Sequence, residues 1–142
     1  SAEASRQYAV ARTWVKLAKA SGVATDLETA LFAADHGGKS AALRAARAEW
    51  ARRHSVHVAD ALGWALHANG RDAEALTYAR RANGLGYRNA LFRYHQGMIE
   101  KSLGRAASAR RDLTAALRLN PDFSALRAPL AKAALTSLGG VP

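Results

Sequence analysis

Five histidines are the residues whose type best suits chemistry. His57, Asp60, Trp64 and His67 follow one another at spacings of three, four and three, so a helix over this stretch would carry all four on one face. A His and an Asp at i, i+3 supply part of a metal site. Two ligands do not complete one, the third would have to come from a neighbour such as His95, and no metal is expected. His36-Gly37-Gly38-Lys39-Ser40 imitates the end of a phosphate-binding loop, but Ala33 stands where the first Gly is needed and the segment before it favours helix rather than strand. It is expected to be a turn. In Gly84-Leu85-Gly86 no strand precedes, and Asn89 takes the place of the third Gly of a dinucleotide fingerprint, so a helix end is expected. No nucleophile, base and acid can be assembled. The expectation is a protein without catalytic activity and without a cofactor.

The elements that must position these side chains are helical. Ala, Leu and Arg dominate the 142 residues, prolines number three, and strand signals are absent. Breaks fall at Ser21-Gly22, His36-Gly37-Gly38, Arg53-His54-Ser55, Asn69-Gly70, Gly84-Leu85-Gly86, Gly104 and Asn120-Pro121-Asp122, which leaves a run of antiparallel helices joined by short turns. With 49% hydrophobic residues the chain can bury a core unaided. It has no cysteine, which removes disulfides, thiolate catalysis and Cys-ligated zinc but leaves the compartment open. No apolar run approaches a membrane span, and the start SAEASRQ lacks both an apolar leader and an initiating Met, the expected marks of a processed chain or a fragment.

Residues 56 to 89 lie over residues 90 to 123 without a gap. Gly63 falls on Gly97, Gly70 on Gly104, Arg71 on Arg105, Ala75 on Ala109, Ala79 on Leu113 and Ala82 on Ala116. Gly63 and Gly97 suit places where neighbouring helices approach closely, as do the alanines of the second helices. Gly70 and Gly104 suit a left-handed residue that ends a helix. A helix-turn-helix period of this length with small residues at these offsets resembles the tetratricopeptide repeat. The resemblance implies an all-α fold, a right-handed superhelical stack of antiparallel helix pairs with about seven to eight helices. Its parts would be the second helix of a truncated preceding repeat (1–22), repeats at 23–55, 56–89 and 90–123, and a C-terminal capping helix and tail (124–142). Val10, Trp14 and Leu17 share one face of the first of these helices. The repeat at 23–55 departs from the pattern at Glu49 and His54. In the last helix Ser124 is expected as N-cap and Leu126, Leu130, Ala134 and Leu138 as the packing side, with Pro129 either kinking it or marking a start near residue 128.

In such arrays the first helices line a concave groove. The resemblance places Leu27 and Leu31, then His57, Asp60, Trp64 and His67, then Leu91, Tyr94, Met98 and Lys101 on that surface, whose apolar and aromatic middle suits an extended peptide or a partner helix. The alternative is that Trp64 and Met98 pack across adjacent units, or on a terminal helix folded into the groove. Asp60, Trp64 and Met98 replace the Lys and Asn with which some members hold a peptide's C-terminal carboxylate, so that clamp is not expected. Arg93 and Glu100 stand where the family has large apolar residues, and a partly buried charged network between units is expected there.

The net charge is +10, and Arg supplies 16 of the 21 cations. Arg44, Arg47, Arg80, Arg81, Arg110, Arg111 and Arg118 lie on second helices and face outward in the same frame. Two functions follow as expectations. One is a non-enzymatic scaffold that binds a peptide or protein segment in the concave groove; the other is nucleic-acid or acidic-protein binding through the Arg-rich convex face. The stacking rings of single-strand binders are not on that face. A homodimer through the terminal helices is a further expectation.

Overall fold

Glycine, asparagine and serine punctuate an Ala-, Leu- and Arg-rich chain, and the helices form between them. The computed structural model describes residues 38–84 and 86–139, and all its regular elements are helices: α1 (Lys39–Arg52), α2 (Val56–Ala68), α3 (Asp72–Asn83), α4 (Ala90–Ser102), α5 (Ala106–Leu119) and α6 (Arg127–Ser137). The helix expected at residues 5–20, the first half of the repeat at 23–55, and Leu27 and Leu31 lie outside the described residues. Among the described residues there is no strand, and no helix is long and apolar enough to cross a membrane.

Helix starts are fixed by side chains that accept otherwise unpaired amides. Ser55 Oγ accepts from Val58 N at 3.2 Å to open α2, and Asn89 Oδ1 accepts from Phe92 N at 3.1 Å to open α4. The turns after α2 and α4 are copies. Gly70 and Gly104 each take φ of 75°, and Arg71 N and Arg105 N reach back to Leu66 O and Glu100 O at 2.9 Å. This six-to-one closure needs a left-handed residue, which explains the repeated Gly.

Helices pack against their neighbours in sequence from α1 to α6, with α2 also touching α4 and α4 touching α6. A Cβ on Gly63 would lie 3.1 Å from Ala75 O and 3.2 Å from Ala79 N, and one on Gly97 would lie 2.8 Å from Leu113 Cγ. Ala75, Ala82, Ala109 and Ala116 are fully buried. The small residues at repeat offsets therefore set the distance between helices, as their spacing predicts.

The last helix packs differently from expectation. It begins at Arg127, whose amide donates to Ser124 Oγ at 3.0 Å, so Ser124 does cap the chain's entry and Pro129 falls in the first turn. Its buried residues are Ala128, Ala131, Ala134 and Leu135, while Leu126 and Leu130 are 65% and 45% exposed. Leu126 precedes the first helical turn, and alanines, with no side chain to displace, bring α6 close to its neighbours.

Candidate functional site

The aromatic stripe comes first, because its residue types promised most. Trp64 lies on α2 and Tyr94 and His95 on α4, and the pairing of these two helices puts the rings together. Trp64 stacks on His95 with centroids 4.1 Å apart and planes 23° from parallel, and lies 4.9 Å from the His67 ring. His95 Nδ1 is 2.7 Å from Asp60 Oδ1, a geometry in which the ring N–H donates to the carboxylate; both side chains are buried. His67 Nδ1 makes the equivalent contact with Asp72 at 2.5 Å. Tyr94 packs on Phe123, and the Arg127 guanidinium sits 5.5 Å over Trp64 and 6.0 Å over Tyr94.

The expected open stripe is corrected at its centre. Asp60, Trp64 and Tyr94 are 3%, 8% and 1% exposed. Leu91 and Met98 are half-buried against the same cluster as Ala128 and Ala131 of α6. At the ends of the stripe His57 and Lys101 are exposed and His67 is half-buried. The C-terminal segment covers the rings, which is the alternative the sequence left open. His57 lies apart from the other two histidines against Tyr87 and Phe92, and among the described residues no three potential ligands gather.

Of the two departures from the pattern in the first repeat, Glu49 is a buried polar contact and His54 an exposed ring contact. Glu49, 2% exposed, is held by Arg53 and Arg52, and the Arg53 hydrogen bond keeps its carboxyl below the usual range against the opposing effect of burial. His54 stacks on Trp50 at 4.3 Å. Between the hairpins, Asn83 Nδ2 donates to Gln96 Oε1 at 2.9 Å and to Phe92 O at 3.0 Å. Glu100 lies beside Gln96 and Asp112, and burial, then the Asp112 carboxylate, pushes its carboxyl from an ordinary 4.5 up to about 8. Asp112 in turn pairs with Arg93 at 3.2 Å. Arg93, Glu100 and Asp112 do form a polar network, but it lies within the α4–α5 hairpin rather than between units; Arg80 of α3, which weakly opposes the rise at Glu100, is a member from the preceding unit.

Arg93 also lines a surface trough of about 700 Å³. Its walls carry five arginines: Arg88 from the loop before α4, Arg93 from the first turn of α4, and Arg110, Arg111 and Arg118 from α5. Thr114, Ala115 and Leu119 form the rest of the lining, and Leu119 is 39% exposed. The helix repeat explains the arrangement. Arg110, Thr114 and Arg118 make one i, i+4 ridge, and Arg111, Ala115 and Leu119 make the adjacent one. Some guanidinium groups are anchored: Arg110 donates to Leu138 O at 3.0 Å, Arg111 to Ser108 Oγ at 3.1 Å, and Arg93 to Asp112. Arg88 and Arg118 are exposed and have no ion-pair partner among the described residues.

The basic residues read from sequence thus divide. Arg110, Arg111 and Arg118 line the trough, whereas Arg44, Arg47, Arg80 and Arg81 lie outside it. Arg47 pairs with Glu74 at 3.4 Å, and Arg81 covers the rings of Trp50 and Tyr78 at 5.5 and 5.7 Å. Arg88 and Arg93 were missed as trough residues. Arg93 signalled itself only by standing at an apolar place in the repeat, and Arg88 gave no signal. No protein-family model, curated protein or solved structure matches the chain.

Proposed function

We propose that this chain is a non-enzymatic interaction module, a tetratricopeptide-like solenoid of stacked helix pairs, and that it binds a segment of a partner protein. The repeat frame supports the architecture: α2 with α3 and α4 with α5 form like hairpins closed by like turns. The observation that carries the binding role is the arginine-lined trough, because it presents forked donors on a concave, partly apolar surface. The working face is accordingly placed along α5, and the Trp64 stripe is assigned to packing. Panning a random-peptide display library on the immobilised folded chain is expected to enrich peptides that bind in solution and compete with one another. A library that yields no such peptide would overturn the proposal.

A second reading keeps the same arginines and exchanges the partner. A net charge of +10 with Arg clustered on one face also suits a nucleic acid. It predicts retention of RNA or DNA with an affinity that falls steeply with salt. Failure to retain either at physiological ionic strength would remove it.

A further inference from the structure

The trough has a chemical character more specific than positive charge. All five of its cations are arginines, whose planar forks match carboxylates two bonds at a time. None of its lining residues is acidic. Asp112 holds Arg93, and neither it nor Glu100 beside it, whose carboxyl is pushed up to about 8, lines the trough. Arg88 and Arg118 both line the trough and have no ion-pair partner among the described residues. The floor is not polar: Ala115 and the exposed edge of Leu119 run beside the Arg110, Thr114 and Arg118 ridge.

We propose that the trough between the start of α4 and the outer face of α5 is a docking site for an acidic amphipathic segment of a partner protein. Carboxylates of that segment pair with Arg88, Arg111 and Arg118, and an apolar side chain sits on Ala115 and Leu119. This rests on the reading of the chain as a protein-binding module and adds the chemistry of its partner. Three features favour a polypeptide over a nucleic acid. No aromatic ring lines the trough, so bases have nothing to stack on. The apolar floor has no use for a phosphodiester backbone but accepts a Leu or Phe. Side chains that recur every fourth residue along a helix fall about 6 Å apart, and this is also the spacing of the Arg110, Thr114 and Arg118 ridge.

The test uses the full chain and fluorescence anisotropy with four probes: a short labelled peptide built of Glu-Glu-Leu triplets, its Gln-for-Glu counterpart, oligoglutamate and an oligouridine RNA. The Glu-Glu-Leu peptide is expected to bind most tightly. The double reversal Arg88→Glu with Arg118→Glu is expected to weaken it by about tenfold or more, a loss large enough to separate a site from general attraction. Lys39→Glu with Arg44→Glu, on exposed positions of α1, changes net charge equally and is expected to weaken it less than about twofold. Leu119→Ser is expected to weaken the Glu-Glu-Leu peptide about fivefold and to leave oligoglutamate unchanged. Far-UV circular dichroism and urea midpoints establish that each variant is folded.

Equal losses in the two double reversals, or equal binding of the Gln-for-Glu peptide, would overturn the proposal. Tighter binding of the RNA, lost on reversal of Arg88 and Arg118, would overturn it in favour of a nucleic-acid site. Display panning separates the two levels of inference. Peptides that enrich without acidic residues and bind the Arg88 and Arg118 reversal normally would leave the module standing and sink the docking site. A library that enriches nothing would sink the module itself.

Discussion

The ring cluster around Trp64 and the trough along α5 are built from opposite materials and meet opposite fates. Trp64, Tyr94 and His95 have the side chains most often found at binding surfaces, yet they stack on one another, on Phe123 and under Arg127 until little of them reaches water. The arginines of α5 have the side chains often found on an idle solvated face, yet the loop before α4 and the first turn of α4 bring Arg88 and Arg93 to the same trough. Aromatic area gains most when it is buried, and any neighbouring apolar element will bury it. Guanidinium groups stay hydrated, so they remain available at the surface wherever helices leave a depression. Residue type states what a side chain can do; its neighbours decide whether it remains free to do it.

Substitutions in the two regions are therefore expected to register in different measurements. Trp64→Ala is expected to lower stability by about 3 to 5 kcal/mol in urea unfolding, the range for truncating a large buried ring. Asp60→Ala leaves a buried His95 without its acceptor and is expected to cost about 2 to 3 kcal/mol by the same measurement.

Glu100→Gln is expected to act in the other direction. The folded protein holds the Glu100 proton up to about pH 8, whereas the unfolded chain releases it near 4.5, so folding takes up a proton between these values. Stability then falls as pH rises through that window, and Gln removes the slope. Melting curves should show the variant more stable than the parent near pH 8 and level with it near pH 4.5. The smallest effect is expected at the trough, where Arg88→Ala and Arg118→Ala should leave urea midpoints within about 0.5 kcal/mol of the parent while weakening the Glu-Glu-Leu peptide. Trough substitutions that unfolded the chain, or a Trp64→Ala variant of full stability, would erase the contrast between the regions.

The hairpins were legible because their cause is local. A left-handed glycine after a helix, an alanine where two backbones meet and a Ser or Asn before the first turn each act within a few residues, and all recur at a fixed offset. The site was less legible because it depends on what lies across a gap. The repeat frame put Trp64 on a groove, but it could not weigh the groove against Phe123, at the very end of its repeat, and Ala128 and Ala131, which belong to no repeat. For the same reason the packing side of α6 was placed on Leu126, Leu130, Ala134 and Leu138, of which Ala134 and Leu138 pack against the protein while Leu126 and Leu130 give way to Ala128 and Ala131. Arg93 was expected between units and instead pairs with Asp112 inside its own hairpin while lining the trough, a position that pattern matching on one helix does not convey.

Asn83 has a consequence for how the molecule would come apart. α2 packs on α3 and α4 on α5 far more extensively than α3 packs on α4, and across that thinner seam Asn83 reaches the Phe92 carbonyl and the Gln96 amide. Chains of hairpins share stability between intrinsic and nearest-neighbour parts, so this seam is a joint at which cooperativity drops, as is the still thinner one between α5 and α6. In slow hydrogen exchange α6 is expected to open first and the two hairpins to part afterwards, with Asn83 and the Asp60–His95 contact as the latches between them.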